Sequence, residues 1–157
     1  MKICPKRILW PTDFSRLSMK AAEYAAAFRA AFGAELHVIN VCMPIVSPNM
    51  AIPYAPEIEL SVSEAELMAD AKARLQQMAR DLFGDKPAVV CEALVGTPWA
   101  GICNYANRVG IDLIVVATHG LTGLRHVLIG STAERVVQHA TCPVLTVKNS
   151  ERDIAAT

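Results

Sequence analysis

The sequence predicts a single α/β domain: a doubly wound, Rossmann-like, five-stranded parallel sheet with helices on both faces, in three layers α/β/α. Three observations predict it. Short apolar runs alternate along the chain with longer stretches of helical spacing, strand then helix. Most strand runs are apolar at nearly every position, as strands covered on both faces must be. Glycine, proline and serine punctuate the junctions where helices start and stop. Right-handed crossovers then place ligands outside the carboxyl ends of the strands, at the point where strand order reverses.

Each element has its own signal. Arg7 to Trp10 is the first strand, stopped by Pro11. Ser15 or Ser18 can cap the helix that follows, from about Ser18 to Phe32. Its alanines favour helix and allow close packing on a sheet, and Gly33 supplies the stop. Glu35 to Cys42 is the second strand. Pro44, Pro48, Pro53 and Pro56 then remove donors and fix φ, so Met43 to Glu59 reads as a loop. Ser61 or Ser63, each with a Glu three residues on, opens a helix to about Phe83 through a capping box. Leu67, Ala71, Leu75, Met78 and Leu82 give that helix one apolar face. Ala88 to Val95 is the third strand. Gly96-Thr97-Pro98 opens a helix that ends near Gly110. Leu113 to Ala117, Ser131 to His139 and Val144 to Val147 complete the alternation as strand, helix and strand. The domain spans residues 1–148, and residues 149–157 read as a frayed tail.

Bulk properties exclude several classes. The chain is 53% apolar and 19% charged, which is globular composition, and its 157 residues suffice for one core. Lys+Arg and Asp+Glu balance at 15 each, so no global basic field exists to hold nucleic acid or an anionic membrane. The apolar run in MKICPKRILWPTD is cut by Pro11 and Asp13, which argues against a signal peptide. No membrane span is expected, and the chain reads as cytoplasmic. Five cysteines without a CxxC read as reduced thiols packed as small hydrophobes, with no metal site. His37 alternates within a strand and reads as structural.

The chemistry sits in ATHGLTGLRHVLIGST, which joins a strand end to a helix start. Gly120, Gly123 and Gly130 let backbone amides approach an anion with no Cβ in the way. The first amides of the helix at Ser131, with the helix dipole behind them, favour a phosphate. The loop is neither a Walker P-loop, having no Gly-Lys-Ser/Thr, nor GxGxxG. A purely structural alternative stands beside this one. Ser131-Thr132-Ala133-Glu134 is also a capping box, with Glu134 reaching back to the cap, and the glycines are then turn residues. Asp13 likewise suits the turn that leads into a helix.

The pieces ILWPTDFS, HVINV, VGTP and ATHGLTGLRHVLIGSTAERVVQHATCPVLTV run over nearly the whole length of the chain. On them the chain resembles the universal stress protein family. The ATP-binding branch of that family carries G-x2-G-x9-G-[S/T]. Here Gly120 is followed after nine residues by Gly130 and Ser131, while Ala117 holds the first glycine position. The resemblance implies an adenine-nucleotide site for ATP, with AMP and ADP as alternatives, and Mg or Mn held through the phosphates. It implies that Pro11, Thr12 and Asp13 face the ribose or adenine and that the backbone near Val38 meets the adenine edge. It implies that Ala117, Gly120, Gly130, Ser131 and Thr132 hold the phosphates, and that Val116 belongs to the same nucleotide-binding set. Arg125 and His126 read as a solvated face, and Thr118, His119 and Thr122 adjoin the site.

No nucleophile and base, paired carboxylates or catalytic lysine emerges, so the expectation is a non-enzymatic stress-response or signalling module. The alternatives are a dimeric interaction module without nucleotide and a slow ATPase or autophosphorylating protein. The last strand, CPVLTV, is an apolar sheet edge, which together with the resemblance predicts a homodimer through Val144–Val147.

Overall fold

A computed structural model describes residues 4–43, 63–85, 89–118 and 129–148. Expectations about Gly120 and the rest of 119–128, the proline-rich 44–62, Ala88 and the tail 149–157 lie outside the described residues. The elements run β1 (Arg7–Pro11), α1 (Arg16–Phe32), β2 (Glu35–Cys42), α2 (Glu64–Phe83), β3 (Val90–Val95), α3 (Pro98–Val109), β4 (Leu113–Ala117), α4 (Ser131–His139) and β5 (Val144–Val147). The five strands form one sheet in the order β3-β2-β1-β4-β5, and every pairing is parallel. The chain builds outward from β1 through β2 to β3, then returns to the other side of β1 for β4. The switch point therefore lies between β1 and β4.

The strand runs are mostly apolar because the strands feed two cores. Ile8 and Trp10 of β1 pack with Ala21, Ala22 and Ala25 of α1 and with Ala71 and Leu75 of α2. Leu9, between them, joins Ile102, Tyr105 and Ala106 of α3 and Ala133 and Val136 of α4 on the opposite face. All three β1 side chains are fully buried, worth roughly 1.5–3 kcal/mol each for the aliphatic ones. The indole of Trp10 donates to the Ser18 carbonyl at 3.1 Å and meets the Phe83 ring edge-on at 6.0 Å. The alanine stripe of α1 brings its backbone close enough for that bond.

Local chemistry sets the helix ends. Ser15, not Ser18, is the N-cap of α1, and its hydroxyl accepts from the Ser18 amide at 3.1 Å. Ser63 caps α2 through the full capping box with Glu66. Pro98 stands in the first turn of α3, and Gly110 closes it in the left-handed region at φ 72°. The capping box read at Ser131 does not form. Gly130 is the N-cap of α4, with extended φ −69° and ψ 152°, and no side chain caps that helix. The carboxylate of Glu134 instead accepts from Gln138 one turn on, at 3.3 Å. Ser131 is already helical, so its hydroxyl lies one residue too late to close the box.

Candidate functional site

A cavity of about 430 Å³ opens where the carboxyl ends of β1, β2 and β4 meet the amino ends of α3 and α4. That volume lies within the usual range for small-molecule sites. Its first wall is Pro11, Thr12 and Asp13, where β1 runs out toward α1. Pro11 donates no backbone hydrogen, but Thr12 resumes the ladder by donating to the Ile39 carbonyl at 2.9 Å. The Thr12 hydroxyl is committed inward, 2.8 Å from the Ser18 hydroxyl and accepting the Phe14 amide at 3.0 Å. Asp13 Oδ1 accepts the Ser15 amide at 3.0 Å. The turn role of Asp13 is therefore real, and the same residue lines the cavity.

The second wall is the end of β2. Ile39, Asn40, Val41, Cys42 and Met43 line it. Asn40 is buried, its amide donating to the Thr12 carbonyl at 2.8 Å while its carbonyl oxygen accepts the Cys42 thiol at 3.0 Å. This side chain locks the ends of β1 and β2 together. Burial pushes the Cys42 thiol above its ordinary pKa, so it stays a neutral donor. Burial does the same for Cys91, Cys103 and Cys142, in keeping with thiols packed as small hydrophobes.

The third wall joins β4 to α4. Val116, Ala117 and Thr118 face Gly130, Ser131, Thr132 and Ala133. The Thr118 amide donates to the Val147 carbonyl at 2.9 Å, and the Thr118 carbonyl accepts the Gly130 amide at 2.6 Å. The chain thus leaves β4 and returns to α4 at a single closed neck. Glu134 makes the first bond of α4, to the Gly130 carbonyl at 3.0 Å. The three amides before it, of Ser131, Thr132 and Ala133, have no partner within the helix and stand at its positive end. Pro98 and Ile102 of α3 close the cavity from below with apolar surface. Flat apolar walls on one side and helix amides on the other suit a ligand with a planar base and an anionic tail.

Of the residues expected from sequence, Pro11, Thr12, Asp13, Val116, Ala117, Gly130, Ser131 and Thr132 come together on this one cavity. Val38 does not. It pairs with Trp10, is fully buried and packs in the core between the sheet and α1 and α2. Pro11 pairs with Ile39, so the stretch of β2 level with the cavity begins one residue later. Gly120 lies outside the described residues. Sequence reasoning missed Ile39, Asn40, Pro98 and Ile102. Counting β2 forward to its carboxyl end would have found the first two.

Comparison with known proteins agrees with this architecture. The model of the universal stress protein family matches residues 5–148. A universal stress protein of Methanocaldococcus jannaschii, MJ0531, is 39% identical over 150 residues, covering 94% of this chain and 85% of its own. The solved structure of MJ0577, a universal stress protein of the same organism, is 30% identical with a TM-score of 0.72, covering 93% of this chain and 97% of that one. A further universal stress protein, solved in complex with cAMP, shares the fold at 24% identity and a TM-score of 0.67, covering 94% of this chain and 99% of that one. By sequence and by fold, the chain belongs to the universal stress protein family.

Proposed function

We propose that the cavity binds an adenine nucleotide, ATP foremost with ADP and AMP as alternatives, and that the protein acts through this binding as a stress-response or signalling module without catalysis. The observation that carries the reading is convergence. The end of β1 with Asp13, the apolar end of β2 and the unpartnered amides of α4 meet at the one switch point of the sheet. The base fits between Ile39, Val41 and Ile102, the ribose hydroxyls reach the Asp13 carboxylate, and the phosphates meet Ala117, Gly130, Ser131 and Thr132, with Gly120 in the same loop. A Mg or Mn ion accompanies the phosphates. A member of the same fold that holds cAMP supports an adenine mononucleotide as occupant.

The test has two parts. Mass spectrometry of small molecules released from freshly purified, denatured protein should find an adenine nucleotide. Calorimetry with ATP and Mg²⁺ should show saturable heat that is lost in Gly120→Val/Gly130→Val. Absence of both retained nucleotide and heat at millimolar ATP would overturn the reading.

We further propose that the module is cytoplasmic and forms a homodimer through β5. No described helix is long and apolar enough to cross a membrane. β5 is the last strand of the sheet, and Val144, Leu145 and Thr146 on it are only partly buried within the chain. A second β5 related by a two-fold axis would cover them and pair the edge. Sedimentation at micromolar concentration should give a dimer, and a monomer there would count against this part.

A further inference from the structure

Phe14 is the one non-glycine residue with positive φ among the described residues, at 62°. A side chain in the left-handed region costs about 1–2 kcal/mol and persists only where its surroundings hold it there. Two things hold Phe14. Its ring packs against the core shared by α1, α2 and the sheet. The Arg74 guanidinium of α2 sits over that ring, its Cζ 4.1 Å from the centroid.

The residue is also a pivot. The amide on its amino side donates to the Thr12 hydroxyl, and the next amide, of Ser15, donates to Asp13 Oδ1, each at 3.0 Å. Ser15 in turn caps α1. A relaxed, negative φ at Phe14 would swing the Ser15 amide away from Asp13 and remove one of the contacts that hold the carboxylate on the cavity wall. No residue of α2 lines that cavity, and the contact that links Arg74 toward it among the described residues is the one with the Phe14 ring.

We propose that Arg74, clamped on the Phe14 ring, is a positioning residue for nucleotide binding: it holds the Asp13–Ser15 turn in the form that presents Asp13 to the cavity. The proposal rests on the adenine-nucleotide reading of the cavity, and it deepens that reading by making the packing of α2 a determinant of affinity. Glycine needs no clamp at φ 62°, which gives the test its sign.

The experiment is a double-mutant cycle on the full chain with Arg74→Ala, Phe14→Gly and the pair, read by amide hydrogen exchange and by calorimetry with Mg-ATP. Arg74 lies on the outer face of α2, so its truncation leaves the core intact. In Arg74→Ala the Phe14 and Ser15 amides should exchange about two- to fivefold faster, and ATP should bind weaker by a similar factor, the range expected of one cation–π contact. In the Phe14→Gly background, Arg74→Ala should change neither. Loss of affinity that persists in that background would show that Arg74 acts directly through its charge, and it overturns the proposal. So does wild-type exchange and affinity in Arg74→Ala. If wild-type protein takes up no ATP, the cavity reading fails and the nucleotide role falls with it, while the exchange data still decide whether Arg74 clamps the turn.

Discussion

Gly101 of α3 faces Val41 on the cavity wall, and the contact is tight enough to predict a cost for adding one methyl. A Cβ at Gly101 would stand 2.9 Å from Val41 Cγ1, 3.0 Å from Cγ2 and 3.5 Å from Cβ. Both methyls are too close, so rotating χ1 of this β-branched side chain exchanges one clash for another. Either α3 moves off the sheet or Val41 is pushed toward the cavity. Overpacking of this kind costs about 1–3 kcal/mol. Against it stands helix propensity, since Ala in a helix interior is better than Gly by about 1 kcal/mol.

The balance gives Gly101→Ala a net loss of about 1 kcal/mol, hence a Tm lower by about 2–4 °C for a chain of this size. Calorimetric unfolding of apo protein measures it. Gly101→Ala should cost much less in a Val41→Ala background than in wild type, because the two changes share one space. Nucleotide affinity should fall in the single variant for the same reason. An increase of Tm in Gly101→Ala would refute the reasoning: propensity would have won, and α3 would be free to slide on β2 without moving Val41.

Three further outcomes are expected. Ser131→Ala should leave Tm unchanged or slightly raised, because Gly130 is the cap, whereas loss of a true Ser cap costs about 1 kcal/mol; ATP affinity should fall if the hydroxyl meets phosphate. Burial, aided by the negative charge of Glu92, pushes the Tyr105 phenol up to about 12, so the unfolded chain ionises first as pH rises. Stability from that group is complete below the ordinary value of 10.0 and drains between there and about 12, and urea titrations should show Tyr105→Phe lacking that alkaline loss while being weaker at pH 7, since His37 Nδ1 loses its 2.8 Å partner. The backbone amide and then the hydroxyl of Ser63 hold Glu66 below its usual carboxylate range of 4.5. Thermal melts should therefore show Glu66→Ala below wild type at neutral pH, with the gap closing as pH drops under 4.5 through the folded pKa.

The fold was legible because its signals are local and repeated. Strand runs apolar on both faces, an alanine-rich helix ended by Gly33 and the Ser63–Glu66 box each carry their meaning within a few residues. What was not legible depends on register. Val38 and Ile39 look alike in HVINV, and only the pairing of Pro11 with Ile39 tells which of them reaches the level of the cavity. Pro98 and Ile102 were hidden for another reason. They come to the site from a helix whose sequence declares only that it begins there.

The two readings of Ser131 turn on a similar single step along the chain. Ser-x-x-Glu matches a capping box, but a box needs the serine at the half-extended position before the helix. Here the Thr118 carbonyl pins the Gly130 amide, which leaves Gly130 in that position and puts Ser131 on the helix proper. The neck between β4 and α4 decides the cap, and side-chain propensity does not. A serine cap would have used its oxygen on one of the amides at the helix start. With glycine there instead, those amides and the serine hydroxyl all stand at the cavity, where an anion is the partner their chemistry fits.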